Sequence, residues 1–115
     1  AAGRLSAGQE KLHLAADLGR RTVLLNGLGS DQQAACRQIA GRGPDKFAGV
    51  DFTVSPHNLP VIAGAIAVIE CTVHSVSEAG DHWFVLGNVV QMATPRVDDP
   101  MLFHRGRYGG FAELG

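Results

Sequence analysis

The stretch from Ala65 to Ala93 sets the terms for the rest of this chain. It holds two runs rich in Val, Ile, Phe and Trp, separated by Glu78-Ala79-Gly80-Asp81. Side chains branched at Cβ and aromatic rings fit a pleated surface, and Gly beside Asp accommodates the dihedrals of a tight turn. The pattern predicts a long β-hairpin. Its first strand begins apolar on both faces, with Ala65, Ala67 and Ile69 on one and Ile66 and Val68 on the other. It then alternates, Cys71 and Val73 opposing Glu70, Thr72 and His74. The second strand is apolar on both faces for most of its length, Phe84, Leu86 and Val90 against Trp83, Val85 and Val89. A strand apolar on both sides needs cover on both sides. One face is expected to line a barrel or sandwich core, the other to lie under a helix or a second subunit.

The 115 residues suit a single domain over 1–115 with a small core. Ten basic residues nearly balance eleven acidic ones, and the basic ones are scattered except near the C-terminus. That balance argues against a nucleic-acid or other polyanion partner. Cys36 and Cys71 lie far apart, each in an apolar setting, and read as buried reduced thiols of a cytoplasmic protein. No charged start followed by an apolar core marks a signal peptide, and no apolar run reaches membrane-spanning length, so no membrane role is expected.

Ser6 can cap a helix through Asp17, with Leu12, Ala15 and Ala16 as its apolar stripe and Gly19 as its stop. Thr22 to Asn26 is a short strand. Ser30 and Gln33 match a capping box, in which each side chain satisfies a free backbone amide of the other, and open a helix through Ala40. Gly41, Gly43 and Pro44 end it. Asp51 to Val54 is a strand, Ser55 to Asn58 a loop, and Val61-Ile62 a brief extended piece before the hairpin. Pro95 and Pro100 keep the connection after the hairpin out of any ladder. Met101 to His104 is a last strand, followed by a glycine-rich basic tail, Arg105 to Phe111. The expected class is mainly β with two short helices, and the strand spacing favours a small barrel over a βαβ sheet.

Three stretches carry chemistry worth weighing. In the tail, Arg105 and Arg107 suit a phosphate or carboxylate, and His104 or Tyr108 suits a planar ring; a solvated terminus explains the same residues. His82 beside Asp81 suits an acid, a base or a ring-facing donor; a surface histidine in a turn is the plainer account. The amides at the Ser30 helix start suit an anion, but Asp31 opposes one there, which favours a plain cap. The five histidines and two cysteines show no metal-ligand spacing, so no metal is expected.

Taken together, three segments resemble the flavin reductase-like FMN-binding proteins, the reductase components of two-component flavin monooxygenases. They are Leu28 to Gln38, Asp45 to Val50, and the C-terminal part made of Gly64 to Cys71, Ala79-Gly80-Asp81-His82 and Phe103 to Gly109. Their order and spacing carry the resemblance over roughly residues 20 to 111, the C-terminal portion of the family's fold. It implies an FMN-binding split β-barrel, a homodimer, flavin near the subunit interface, and NAD(P)H as hydride donor. It implies an NAD(P)H:flavin oxidoreductase that reduces FMN or FAD for an oxygenase component. By the same carry-over His82 and His104 are the catalytic-site histidines, Arg107 and Tyr108 flank the cofactor, and Ser30 and Gln32 border the flavin. The chain departs from the pattern in two places. Family members have further strands ahead of the Ser6–Asp17 segment, and Gly27 stands where a larger apolar residue is usual. The departure supports an alternative, a non-catalytic flavin-binding or dimerisation module; a small barrel for haem or a pyridoxal-type cofactor is a third reading.

Overall fold

The structure, a computed structural model, describes residues 2–7, 10–17, 21–41 and 43–115. Its elements in chain order are β1 (Ala2–Ala7), β2 (Glu10–Asp17), β3 (Thr22–Gly27), α1 (Gln33–Ala40), β4 (Phe52–Val54), β5 (Pro60–Ile62), β6 (Ala67–Ala79), β7 (His82–Ala93), β8 (Leu102–His104) and β9 (Arg107–Gly109). The class is mainly β. One sheet runs β7-β6-β3-β2-β8-β9, with β1 paired to β2; β4 and β5 form a separate two-stranded sheet. All pairings are antiparallel.

The predicted hairpin is β6 and β7, joined through Gly80 at φ +65°, where a side chain would be strained. Two register shifts, at Glu70/Cys71 and Val73/Ser75, interrupt its ladder. Extra residues of this kind bend a strand and raise its twist. β3 pairs with β6 only from Ala67 to Thr72, so the distal half of the hairpin extends past the sheet. The cover expected for β7 is not supplied by the described residues: every position of β7 is exposed, Trp83 at 65% and Met92 at 67%.

The helix expected from Ser6 to Asp17 is replaced by strands, so one helix stands rather than two. Its stop, Gly19, lies outside the described residues. Leu12 and Leu14 alternate with Lys11 and His13, a period of two that suits a strand as well as Leu12, Ala15 and Ala16 suit a helix. Pairing decides between them. β2 runs Leu12–Asp17 against Thr22–Gly27 and satisfies the edge of β3 that β6 leaves open. Two strands therefore stand ahead of β3 where the sequence reading had none.

Two apolar clusters hold the layers. Leu28, Cys36, Ile39, Ile62 and Met101 join α1 to β5 and to the start of β8, with Phe47, Val50 and Tyr108 packed against them. Leu24 and Leu59, with Val61 and Val68, join β3 and β6 to the β4–β5 hairpin. Cys36 and Cys71 are free and buried, as expected. Within the β4–β5 layer the contact is also polar. Asn26, fully buried in β3, donates from Nδ2 to the Pro60 carbonyl at 3.1 Å and accepts from the Ile62 N–H at Oδ1, 3.0 Å. It bridges the two sheets where no ladder does.

Candidate functional site

The start of α1 is fixed by side chains other than the expected cap. The N-cap position is Gln32, with no side-chain cap hydrogen bond, so the Ser30 capping box is not formed. Ser30 instead donates its backbone N–H to the Asp99 carbonyl at 2.8 Å. The Gln32 amide bridges two turns: Oε1 accepts from Gly29 N–H at 2.9 Å and Nε2 donates to the Ala63 carbonyl at 2.8 Å. Both polar ends of Gln32 are thus committed to backbone.

Arg96 secures the same corner. It donates from Nε to the Gly64 carbonyl and from its two terminal nitrogens to Asp98 Oδ2 and Asp31 Oδ1, each at 2.6 Å. The hydrogen bond from Arg96 holds the Asp31 carboxyl below its ordinary pKa, against a smaller desolvation that raises it. The Arg96 guanidinium is raised in turn, first by its bond to Asp31. Sequence reading missed Arg96 because a lone arginine between two prolines in a connection carries no local signal.

The tail is ordered by pairing. β8 and β9 form a hairpin, with Phe103 opposite Tyr108 and His104 opposite Arg107, turned by Arg105 at φ +52° and Gly106 at φ +79°. Tyr108 is half-buried on the larger cluster. Phe103 meets its ring edge-on at 5.1 Å, and the Arg37 guanidinium of α1 sits 5.2 Å from its centroid. Tyr108 is thereby an anchor between tail and helix. Gly110 follows it past α1; a Cβ there would lie 3.7 Å from Ser30 Cβ. His104 and Arg107 are exposed.

The structure therefore brings Ser30, Gln32 and Tyr108 into one neighbourhood around α1. It does not bring His82 to them. His82 opens β7 at the exposed hairpin tip, its Nδ1 2.6 Å from Asp81 Oδ1. Along the sheet, β6, β3 and β2 separate β7 from β8, so His82 and His104 stand far apart in strand order.

Beside α1 lies a cavity of about 460 Å³. One wall is Asp31, Gln32, Ala34, Ala35 and Gln38; the other is formed by residues 48–51 and 62–63. A second polar feature lies under the β4–β5 loop. His57 Nδ1 is 2.9 Å from Oε1 of Glu70, whose side chain is 3% exposed. Glu70 Oε2 and the hydroxyl of Thr22, both buried, have no hydrogen-bond partner. Burial also pushes the neighbouring Cys71 thiol up in pKa. Among the described residues no group of three or more His, Cys, Asp or Glu is placed to hold a metal, and no helix is long and apolar enough to cross a membrane.

Comparison with known proteins places these features. Residues 8–112 match the family described as flavin reductase like domain. The chain is 43% identical over 86 residues to the reductase subunit HsaB of a flavin-dependent monooxygenase from Rhodococcus jostii, covering 75% of this chain and 44% of that protein. The crystal structure of a nitrilotriacetate monooxygenase component B homologue from Mycobacterium thermoresistibile superposes with a TM-score of 0.76 at 33% identity, covering 96% of this chain and 68% of that one. The NADH:FAD oxidoreductase SgcE6 of Streptomyces globisporus, in complex with NAD and FAD fragments, superposes with a TM-score of 0.76 at 30% identity, covering 91% and 70%. The chain spans about half the length of the curated relatives it matches. With a match that runs from β2 through the β6–β7 hairpin to the tail, this chain belongs to the flavin reductase like domain family.

Proposed function

We propose that residues 1–115 form one flavin reductase-like domain, arranged as a split barrel, that reduces FMN or FAD with NAD(P)H and passes reduced flavin to an oxygenase component. The observation that carries this reading is the family match over residues 8–112, which takes in both the hairpin tip and the tail. Relatives named as a monooxygenase reductase subunit and as an NADH:FAD oxidoreductase support the substrates.

The residues fit flavin and nicotinamide in part. Arg107 and His104 are exposed, with polar ends turned to solvent, and suit a phosphate and a carboxamide or ring carbonyl. Gln32 and Tyr108 fit less well as direct ligands, because Gln32 is bonded at both ends and Tyr108 is packed between Phe103 and Arg37. We assign both to shaping the site. When bound, flavin supplies the redox chemistry, accepting a hydride equivalent from the nicotinamide. The protein contributes orientation and exclusion of water rather than an essential acid or base. His104 and His82 position and polarise the reacting rings.

Assembly belongs to the same proposal. β7 is an edge strand, apolar on both faces and exposed throughout. Such an edge invites pairing with another chain. We propose a homodimer through β7, which also removes the distance in strand order between His82 and His104 by supplying one from each subunit. Free, buried Cys36 and Cys71 support a cytoplasmic location.

The test is NADH oxidation followed at 340 nm. Turnover should require added FMN or FAD, and His104→Ala should lower it about 10-fold or more. NADH oxidation independent of flavin and unchanged in His104→Ala defeats the proposal. A second reading, a non-catalytic flavin-binding or dimerisation module, is favoured by the coverage of about half of each curated relative. It predicts saturable quenching of FMN fluorescence with no turnover.

A further inference from the structure

The cavity beside α1 is chemically distinct from the cationic tail. Its unengaged side-chain groups are acceptors. The Asp51 carboxylate takes part in no hydrogen bond or ion pair among the described residues; only its backbone carbonyl is used, by the Ala63 N–H at 2.9 Å. Asp31 gives one oxygen to Arg96 and keeps the other. Gln38 donates from Nε2 to the Asp45 carbonyl and keeps its carbonyl oxygen. Between these acceptors the walls are small and apolar, Ala34 and Ala35 on the helix and Val50 and Ile62 across from it. The first-turn amides of α1, which no helix satisfies internally, add backbone donors along the same wall.

No lysine or arginine lines the cavity. Two carboxylates on its rim repel phosphate, so the site is not an anion pocket despite the helix start. Two carboxylates on separate walls are also too few for a hard divalent cation, which takes six or more oxygens. The lining calls for a neutral ligand with a flat apolar body, several hydroxyl or amino donors at its edge, and ring acceptors for the amides. At about 460 Å³ the volume falls within the range of small-molecule sites, about 300–1,000 Å³.

We propose that this cavity binds an adenosine-type nucleoside, its base between the Ala34–Ala35 wall and Val50, its ribose hydroxyls donating to Asp51 and Asp31. A carboxylate accepting from ribose hydroxyls is a recurrent solution for nucleoside recognition. The proposal rests on the flavin–nicotinamide reading for its biological sense: it names where the adenosine half of a dinucleotide docks, with the phosphates directed away from the rim carboxylates. It stands apart from that reading as chemistry, because free adenosine is sufficient to test it.

The experiment is a titration of the full chain, labelled with ¹⁵N, with adenosine, and separately with inorganic phosphate and FMN. Adenosine should shift the amides of Ala34, Ala35, Gly49 and Val50 in a saturable manner. Asp51→Asn should weaken that binding about fivefold, the loss expected for one charge-assisted hydrogen bond at a partly wet rim. Ala35→Leu, which fills the cavity, should abolish the shifts. Asp51 is exposed, so its variant should fold, and the unchanged remainder of the spectrum reports that directly. Absent or non-saturating shifts with adenosine overturn the proposal. So do equal shifts of these amides with phosphate or FMN, or Asp51→Asn and Ala35→Leu variants that bind as the parent does. Flavin-dependent NADH oxidation is measured on the same sample: adenosine binding without turnover retains this site and defeats the reductase reading, and turnover without adenosine binding does the reverse.

Discussion

Replacing Asn26 by Ala removes the bridge between the β3–β6 sheet and the β4–β5 hairpin. The Ile62 N–H it satisfies belongs to a residue only 2% exposed, so that donor is left dry. An orphaned buried donor costs about 1–3 kcal/mol. The Pro60 carbonyl is half-buried, and water replaces part of its lost bond, so we add about 0–1 kcal/mol there. Summed, the expected destabilisation is about 2–4 kcal/mol, a large share of the 5–15 kcal/mol typical of a domain. With a urea slope near 1.5 kcal/mol/M, a loss of about 3 kcal/mol lowers the midpoint by roughly 2 M. Equilibrium urea unfolding followed by circular dichroism measures it. Asn26→Asp sharpens the test. It keeps an acceptor for Ile62 and, when protonated, a donor for Pro60. Burial raises its folded-state pKa above the unfolded value, so its stability is present at acid pH and lost as pH rises through the folded pKa. A midpoint for Asn26→Ala within about 0.3 M of the parent, or an Asn26→Asp penalty that does not grow with pH, refutes the bridging role.

Three further outcomes follow from named contacts. Arg96→Met should lower the thermal midpoint most above the ordinary Asp31 pKa of 3.8, because the depressed folded-state pKa stabilises the protein above that value and the benefit fades as pH falls through it. Melting curves of parent and variant from pH 2.5 to pH 6 should converge at the acid end; a constant gap removes Asp31 from the account. His57→Ala leaves the Glu70 carboxylate buried without its partner and should cost about 2–4 kcal/mol in urea unfolding, more than Glu70→Gln, which keeps an acceptor and carries no charge; the opposite ranking contradicts the pairing. Trp83→Glu on the exposed face of β7 should convert a dimer to a monomer by sedimentation velocity with the far-ultraviolet spectrum unchanged, whereas a parent chain that sediments as a monomer at tens of micromolar ends the β7 dimer proposal.

The parts of the fold that were legible in sequence are those written in local patterns. The β6–β7 hairpin was readable from two β-rich runs around Gly80-Asp81, and α1 from the polar start at Gln32-Gln33 and the glycines after Ala40. The stretch from Ser6 to Asp17 was not, because its residues satisfy both periods and the deciding term is a ladder to β3. The tail misled in the other direction. Its glycines read as freedom, yet Arg105 and Gly106 form the turn of a hairpin whose Tyr108 is pinned by Phe103 and Arg37. Of the site, the sequence supplied the exposed candidates His104, Arg107 and His82. It did not supply the residues that hold the site in shape. Arg96 acts across 65 positions of chain on Asp31, and no periodicity encodes such a contact. Asn26 had one available signal, a polar residue closing an apolar strand, which commonly marks a buried partner.

These tethers divide the work between stability and binding. No ladder joins the β4–β5 hairpin to the larger sheet. His57–Glu70 holds its loop, Asn26 its middle, and Gln32 and Arg96 its exit at Ala63 and Gly64. Only the last pair borders the cavity, where Gln32 and Ala63 stand on facing walls. Loosening that corner changes the separation of the walls while the dry core around Ile62 and Met101 stays packed. Arg96→Met should therefore weaken adenosine binding out of proportion to its effect on unfolding. His57→Ala should do the reverse, lowering the urea midpoint with adenosine affinity retained in the folded fraction. If both variants lose affinity only in step with stability, the cavity is not a separately tuned site, and its walls are set by the fold as a whole.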